Sequence, residues 1–196
     1  MSVHQIIFPD NPVLRDRSRR VRHVTPAVEQ LVQDMLETMR AANGIGLAAV
    51  QIGVPERIIV IEIPVAPDDE DDETDTPTDE PRPVEQTIVI NPEIRRRSRD
   101  VEEGIEGCLS VPGWVGEVPR HRTVTVTGLD LQGRPVKIKA EGLFARVLQH
   151  EIDHCSGVLF IDHIEDPEKI WPVTEGEEEA AEAAQEVPDR APPTEI

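Results

Sequence analysis

The run His150-Glu151-Ile152-Asp153-His154 is the part of the chain best suited to chemistry. Histidines at i and i+4 lie one turn apart on one helix face, so both imidazoles can reach a single metal ion. The glutamate between them stands where a carboxylate can take a proton from metal-bound water. Upstream, Glu106-Gly107-Cys108-Leu109-Ser110 carries a cysteine in a Gly-flanked loop. In a reducing setting such a cysteine near a histidine pair reads as a ligand before it reads as half of a disulfide. A third segment is Gly44-Ile45-Gly46-Leu47-Ala48-Ala49-Val50-Gln51. Its glycines allow close backbone approach to a ligand, and Gln51 offers an amide donor. Its Gly-x-Gly-x-x-Ala pattern suggests a dinucleotide fingerprint, which needs a strand before it and a helix after it. Here a predicted helix precedes it and Gly53-Val54-Pro55 breaks the chain soon after, so nucleotide binding is rejected.

These segments need elements to hold them. A helix from about Gly142 to Cys155 carries the histidines, with Leu143, Val147, His150 and His154 on one face, so the ligand pair continues an apolar wall. Cys155 points about 100° away from His154 on that helix and reads as a small buried apolar residue. An earlier helix begins at Thr25 as N-cap and Pro26 as first residue, and ends at Asn43-Gly44. Its Val28, Leu31, Val32, Met35, Leu36 and Met39 form one apolar stripe. Arg57–Ile63 and Thr87–Asn91 are short β-branched runs, hence strands. Val124 and Val126, then the turn Leu131–Pro135, then Val136 and Ile138 predict a hairpin. Residues 2–24 read as extended or irregular. The fold class is α+β, with small mixed or antiparallel sheets around a central helix that carries the histidines.

The net charge of −19 is concentrated. Residues 66–83 and 175–196 together contribute −15, leaving −4 for the rest. That near-balance argues against a basic nucleic-acid footprint. The acidic run 66–83 cannot bury enough apolar surface to offset its ordering entropy and reads as a solvated insertion between strands. The domain expectation is a catalytic unit over 1–172 and an acidic tail over 173–196, in which Glu177–Gln185 has helical composition but no apolar face. No leader-like or membrane-spanning segment is read, so a cytoplasmic setting with no membrane partner is expected. His4, His23, His121 and His163 lack ligand spacing and read as surface residues.

Taken together and in this order, Gly-x-Gly-x-Ala-Ala-x-Gln, Glu-Gly-Cys-x-Ser and His-Glu-x-x-His resemble the peptide deformylase family. The resemblance runs from Pro9-Asp10-Asn11-Pro12-Val13-Leu14 through Val158-Leu159-Phe160-Ile161-Asp162. It implies that Cys108, His150 and His154 bind one divalent metal, with water in the fourth position. The resemblance implies ferrous iron as that metal, with zinc, nickel or cobalt able to substitute, and the ligand set itself fits several of these. The substrate implied is an N-formylmethionyl nascent peptide, with Glu151 as general base and the Gln51 amide and Leu109 backbone N–H holding the oxyanion. Ile45, Leu109, Leu143 and Val147 would line the methionine slot, and Gly46 would present backbone to the peptide. Glu106 and Arg120 correspond to a structural ion pair that holds the Cys108 loop. Any ribosome contact is expected to avoid the acidic tail, which RNA phosphates would repel, and no direct nucleic-acid binding is expected.

The competing reading is a zinc metallopeptidase of the His-Glu-x-x-His type. Those enzymes usually take their third ligand from a His or Glu downstream, whereas here the thiolate lies upstream. An inactive homologue would typically lose the base or a ligand, and Glu151, Gln51, Cys108, His150 and His154 are all present.

Overall fold

In the computed structural model the described residues are 2–64 and 84–173. The predicted acidic insertion 66–83, the tail beyond Val173 and the Glu177–Gln185 segment lie outside them.

Helix α1 spans Pro26–Ala41; the Thr25 hydroxyl accepts from Val28 N–H, and Pro26 costs nothing at a position whose N–H has no helical partner. Five antiparallel strands form the larger sheet: β1 (Gly46–Ala48), β2 (Ile58–Pro64), β3 (Val84–Arg97), β6 (Thr123–Leu129) and β7 (Pro135–Glu141), in the order β1-β2-β3-β6-β7. Helix α2, Gly142–His154, follows β7 directly.

Strand β2 explains why its sequence shows no polar alternation. Ile59 and Ile61 pack into the core beneath α2, while Ile58 and Val60 pack with Val32, Met35 and Met39 of α1. The sheet is covered on both faces, so both sets of alternating side chains must be apolar. On α2, Ala145, Leu148 and Ile152 face that sheet.

Of the small sheets expected, the second is built from strands that the sequence reading does not assign. Strands β4 (Val101–Gly107), β5 (Trp114–His121) and β8 (Ile170–Pro172) pair antiparallel in the order β4-β5-β8. Its strands are rich in Glu, Gly and Pro, so β-propensity is low and cross-strand pairing carries them. The Gly-flanked loop predicted around Cys108 is therefore the end of β4 and the turn that follows it. Strand β3 likewise runs further than predicted, through register shifts between Ile90 and Glu93 and between Ile94 and Arg96. Pro92, which has no N–H to donate, sits in the first of these. Gly46 opens the short edge strand β1, and residues 12–15 of the irregular opening segment form a 3₁₀ turn. Val173 N–H donates to Gly113 O at 2.9 Å, which ties the chain to the second sheet at that point.

Candidate active site

Helix α2 contacts strands of both sheets; His150 faces Glu106 of β4, and Glu151 packs against Gly46 of β1. The Cys108 sulfur lies 3.3 Å from His154 Nε2, and donor atoms of Cys108, His150 and His154 all fall within 4.8 Å of one another. Donors around one tetrahedral ion at roughly 2.0–2.3 Å sit roughly 3.5 Å apart, so this thiolate and two imidazoles fit a divalent metal. His150 Nδ1 is 2.9 Å from Glu106 Oε2, which favours its proton there and leaves Nε2 able to bind a metal. Burial, aided by the charge on His150, pushes His154 well below its ordinary range, so it is neutral and available as a ligand. On His150, burial acts the same way, but the facing Cys108 and Glu106 outweigh it and raise its pKa.

Glu106 is the hub beneath the ligands. Its carboxylate receives Arg120 Nε at 2.8 Å, Arg120 Nη2 at 2.9 Å, and Arg146 Nη1 at 2.8 Å, as well as His150. Burial alone would raise its pKa; Arg120 and His150 hold it far below the carboxylate range. The Glu106–Arg120 pair expected from the resemblance is thus present. Arg120 also bonds Asp153, and Asp153 takes His163 Nε2 at 2.8 Å. His163 is therefore half-buried in this network, a correction to its reading as a surface residue, whereas His23 is exposed.

Glu151 is buried beside the ligands, and its Oε2 has no hydrogen-bond partner among the described residues. Burial pushes its carboxyl up to about 7, in the range where it can both accept and return a proton at neutral pH. Gln51 lies in a 3₁₀ turn over Ala49–Ile52, with its Oε1 accepting from Ala48 N–H at 2.8 Å. That bond aims Nε2 at Ser110 Oγ (3.3 Å) and the Cys108 sulfur (3.6 Å), so the amide donor faces the ligands.

These groups open on a cavity of about 420 Å³. Ile45, Leu109, Leu143 and Val147 line its apolar part, while Gly46, Gln51, Cys108, His150 and Glu151 line its polar part; His154 lies fully buried and outside the lining. Ile105 and Trp114, both exposed, stand at the rim. Arg146 also borders the cavity and was missed in the sequence. Its signal was its place four residues before His150, on the same helix face.

The family model for polypeptide deformylase matches residues 3–170. A peptide deformylase of Thermomicrobium roseum is 51% identical over 185 residues, covering 94% of this chain and 98% of that protein. Among solved structures, the Synechococcus elongatus peptide deformylase in complex with actinonin matches with a TM-score of 0.71 and 37% identity, over 84% of this chain and 80% of that one. A class I type b peptide deformylase of Acinetobacter baumannii, bound to Met-Ala-Ser, matches with a TM-score of 0.72 and 33% identity, over 84% of this chain and all of that one. Sequence motifs, site geometry and relatives agree, and the chain belongs to the polypeptide deformylase family.

Proposed function

We propose that Glu151, Gln51 and Leu109 carry out the family's reaction in this chain, at a metal held by Cys108, His150 and His154. Peptide deformylases are metal-dependent hydrolases that remove the N-formyl group from the N-terminal methionine of newly made proteins, and family membership brings that activity here. The observation that carries the residue assignment is the buried Glu151 carboxylate, whose Oε2 has no hydrogen-bond partner among the described residues, beside three mutually close donor atoms. A divalent metal, when bound, supplies Lewis acidity to the formyl oxygen and raises the acidity of water.

The chain's own groups supply the rest. Glu151 takes a proton from the attacking water, whose oxygen bonds to the formyl carbon. Gln51 Nε2 and the Leu109 N–H donate to the formyl oxygen as it gains charge. Glu151 then hands its proton to the amine nitrogen as the C–N bond breaks, releasing formate and a free N-terminus. Glu106 keeps the His150 proton on Nδ1 throughout. Ile45, Leu109, Leu143 and Val147 form a slot for the unbranched methionine side chain, and Gly46 lies along the peptide path. Met-Ala-Ser held by the Acinetobacter baumannii protein supports a methionine-led peptide as the occupant.

The ion proposed is ferrous iron, which one thiolate and two imidazoles can hold along with zinc, nickel or cobalt. The catalytic unit proposed is 1–172 with its acidic insertion, acting in the cytoplasm on nascent chains. Any ribosome contact is made without the acidic stretch 173–196 and without direct nucleic-acid binding; loss of ribosome association on deleting that stretch would refute this. The central experiment is anaerobic purification, metal analysis, and formate release from a formyl-Met tripeptide. Wild type is expected to release formate, and Glu151→Gln to keep its metal while losing roughly 10²–10⁴-fold in turnover. A metal-loaded wild type that releases no formate but cleaves casein would instead support the metallopeptidase.

A further inference from the structure

Arg146 makes four contacts that join the two halves of the metal site. Its Nη1 donates to Glu106 Oε1 at 2.8 Å, Val118 O at 2.8 Å and Gly104 O at 3.3 Å, and its Nη2 donates to Glu102 O at 2.8 Å. The acceptors are on β4 and β5, whereas Arg146 belongs to α2. Cys108 follows Glu106 at the end of β4, and His150 and His154 lie on α2. The thiolate and the imidazoles therefore come from two different elements, whose relative placement sets whether three donors converge.

Glu106 alone contacts α2 at both Arg146 and His150, one helical turn apart. Two anchors at that spacing fix both the position and the rotation of α2 about its axis relative to β4. The carboxylate is also saturated: Oε1 receives Arg120 Nε and Arg146 Nη1, and Oε2 receives Arg120 Nη2 and His150 Nδ1. Removing Arg146 leaves Glu106 to the Arg120 fork and His150, and takes away the α2 anchor one turn before His150. Position 104 is shaped for the same guanidinium. A Cβ there would lie 2.6 Å from Arg146 Nη2 and 2.7 Å from its Cζ, so only glycine lets the planar group lie against β4.

We propose that Arg146, seated on Gly104, is a positioning residue of the metal site: it registers the His150/His154 helix on the Cys108 strand and holds Glu106 in place to orient His150. The inference rests on the reading of Cys108, His150 and His154 as metal ligands. It predicts that Arg146 affects metal retention itself as well as turnover.

The test uses the full chain loaded with Co²⁺, whose thiolate-to-metal absorption reports the Cys108 contact. Arg146→Met is expected to weaken Co²⁺ binding by roughly 10–100-fold, to alter that absorption, and to shift or broaden the His150 Nδ1–H proton resonance. Arg146→Lys restores a single donor to Glu106 without the fork to Glu102 and Gly104, so it recovers only part of the affinity. Gly104→Ala, which leaves the arginine in place, is expected to shift both readouts the same way and serves where Arg146→Met fails to fold. Arg146→Met, or Gly104→Ala in its stead, with wild-type Co²⁺ affinity and spectrum overturns the proposal, even if its melting temperature falls. Wild type without a thiolate-to-Co²⁺ band overturns the ligand reading as well, whereas lack of formate release with an intact band bears only on the deformylase reading.

Discussion

Gly46 and Glu151 are in direct packing contact: a Cβ at position 46 would lie 2.5 Å from Glu151 Oε1 and 3.0 Å from its Cδ. Edge strand β1 thus presses bare backbone against the proposed general base. The resemblance implies peptide contact for Gly46; the geometry gives it a second task, leaving room for a carboxylate whose Oε2 has no hydrogen-bond partner among the described residues.

Gly46→Ala should displace the Glu151 carboxylate while sparing the three ligands. A misplacement on the order of 1 Å can cost roughly 10²-fold in rate. The expected result is a fall in kcat of about that size with metal content unchanged, read from formate release and metal analysis. A kcat within twofold of wild type would show that the carboxylate has room to move aside.

The Gln51 amide is oriented by the Ala48 N–H donating to its Oε1, with its Nε2 directed at Ser110 Oγ and the Cys108 sulfur. Gln51→Ala removes the donor and should lower kcat by roughly 10²–10³-fold with a smaller change in KM, because the bond to the formyl oxygen strengthens as charge develops there. Gln51→Glu keeps the shape and the Ala48 contact but replaces the donor with an acceptor, and should be at least as impaired. A variant defective only in KM would assign Gln51 to ground-state binding.

The elements that carry a strong periodic signal were legible in the sequence. The stripe on α1, the β6–β7 hairpin and the extent of α2 agree with the structure to within a residue or two. Cys155 was read as buried and is: burial pushes its thiol up to about 12, which makes it inert beside the ligands. The strands of the second sheet were not legible, because Val101-Glu102-Glu103-Gly104-Ile105-Glu106-Gly107 lacks a sustained apolar alternation. Two of its residues are set by tertiary contacts: Glu106 faces Arg120, Arg146 and His150, and Gly104 is small to receive Arg146. Arg146 itself looks like a solvated helix residue until β4 is placed against it.

Metal removal should destabilise the fold as well as stop turnover. The ligands are buried, and an ion that binds only the folded state adds stability by mass action, about 2.7 kcal/mol at a hundredfold excess over Kd. Treatment with a chelator should lower Tm, and re-addition of Fe²⁺ or Co²⁺ under nitrogen should restore both Tm and formate release. An unchanged Tm in protein shown to be metal-free would mean that Cys108, His150 and His154 are held together by packing alone.

Glu62 and Arg40 give a pH-dependent contribution remote from the active site. Arg40 Nε donates to Glu62 Oε2 at 2.9 Å and Gln86 Nε2 donates to Oε1 at 2.7 Å, and the carboxylate is buried while the arginine is half exposed. The hydrogen bond from Arg40 outweighs burial and lowers the Glu62 pKa from its ordinary value of 4.5. A carboxyl depressed in the folded state contributes stability that is fully present above 4.5 and lost as pH falls through the lower folded value. The contribution is on the order of 1 kcal/mol, since Arg40 is screened by solvent. Glu62→Gln should therefore lower Tm near neutral pH, and its deficit relative to wild type should shrink as the pH falls below 4.5. Thermal melts of both proteins across that fall in pH measure it, and a deficit that stays constant with pH would show that the Glu62 charge contributes nothing to folding.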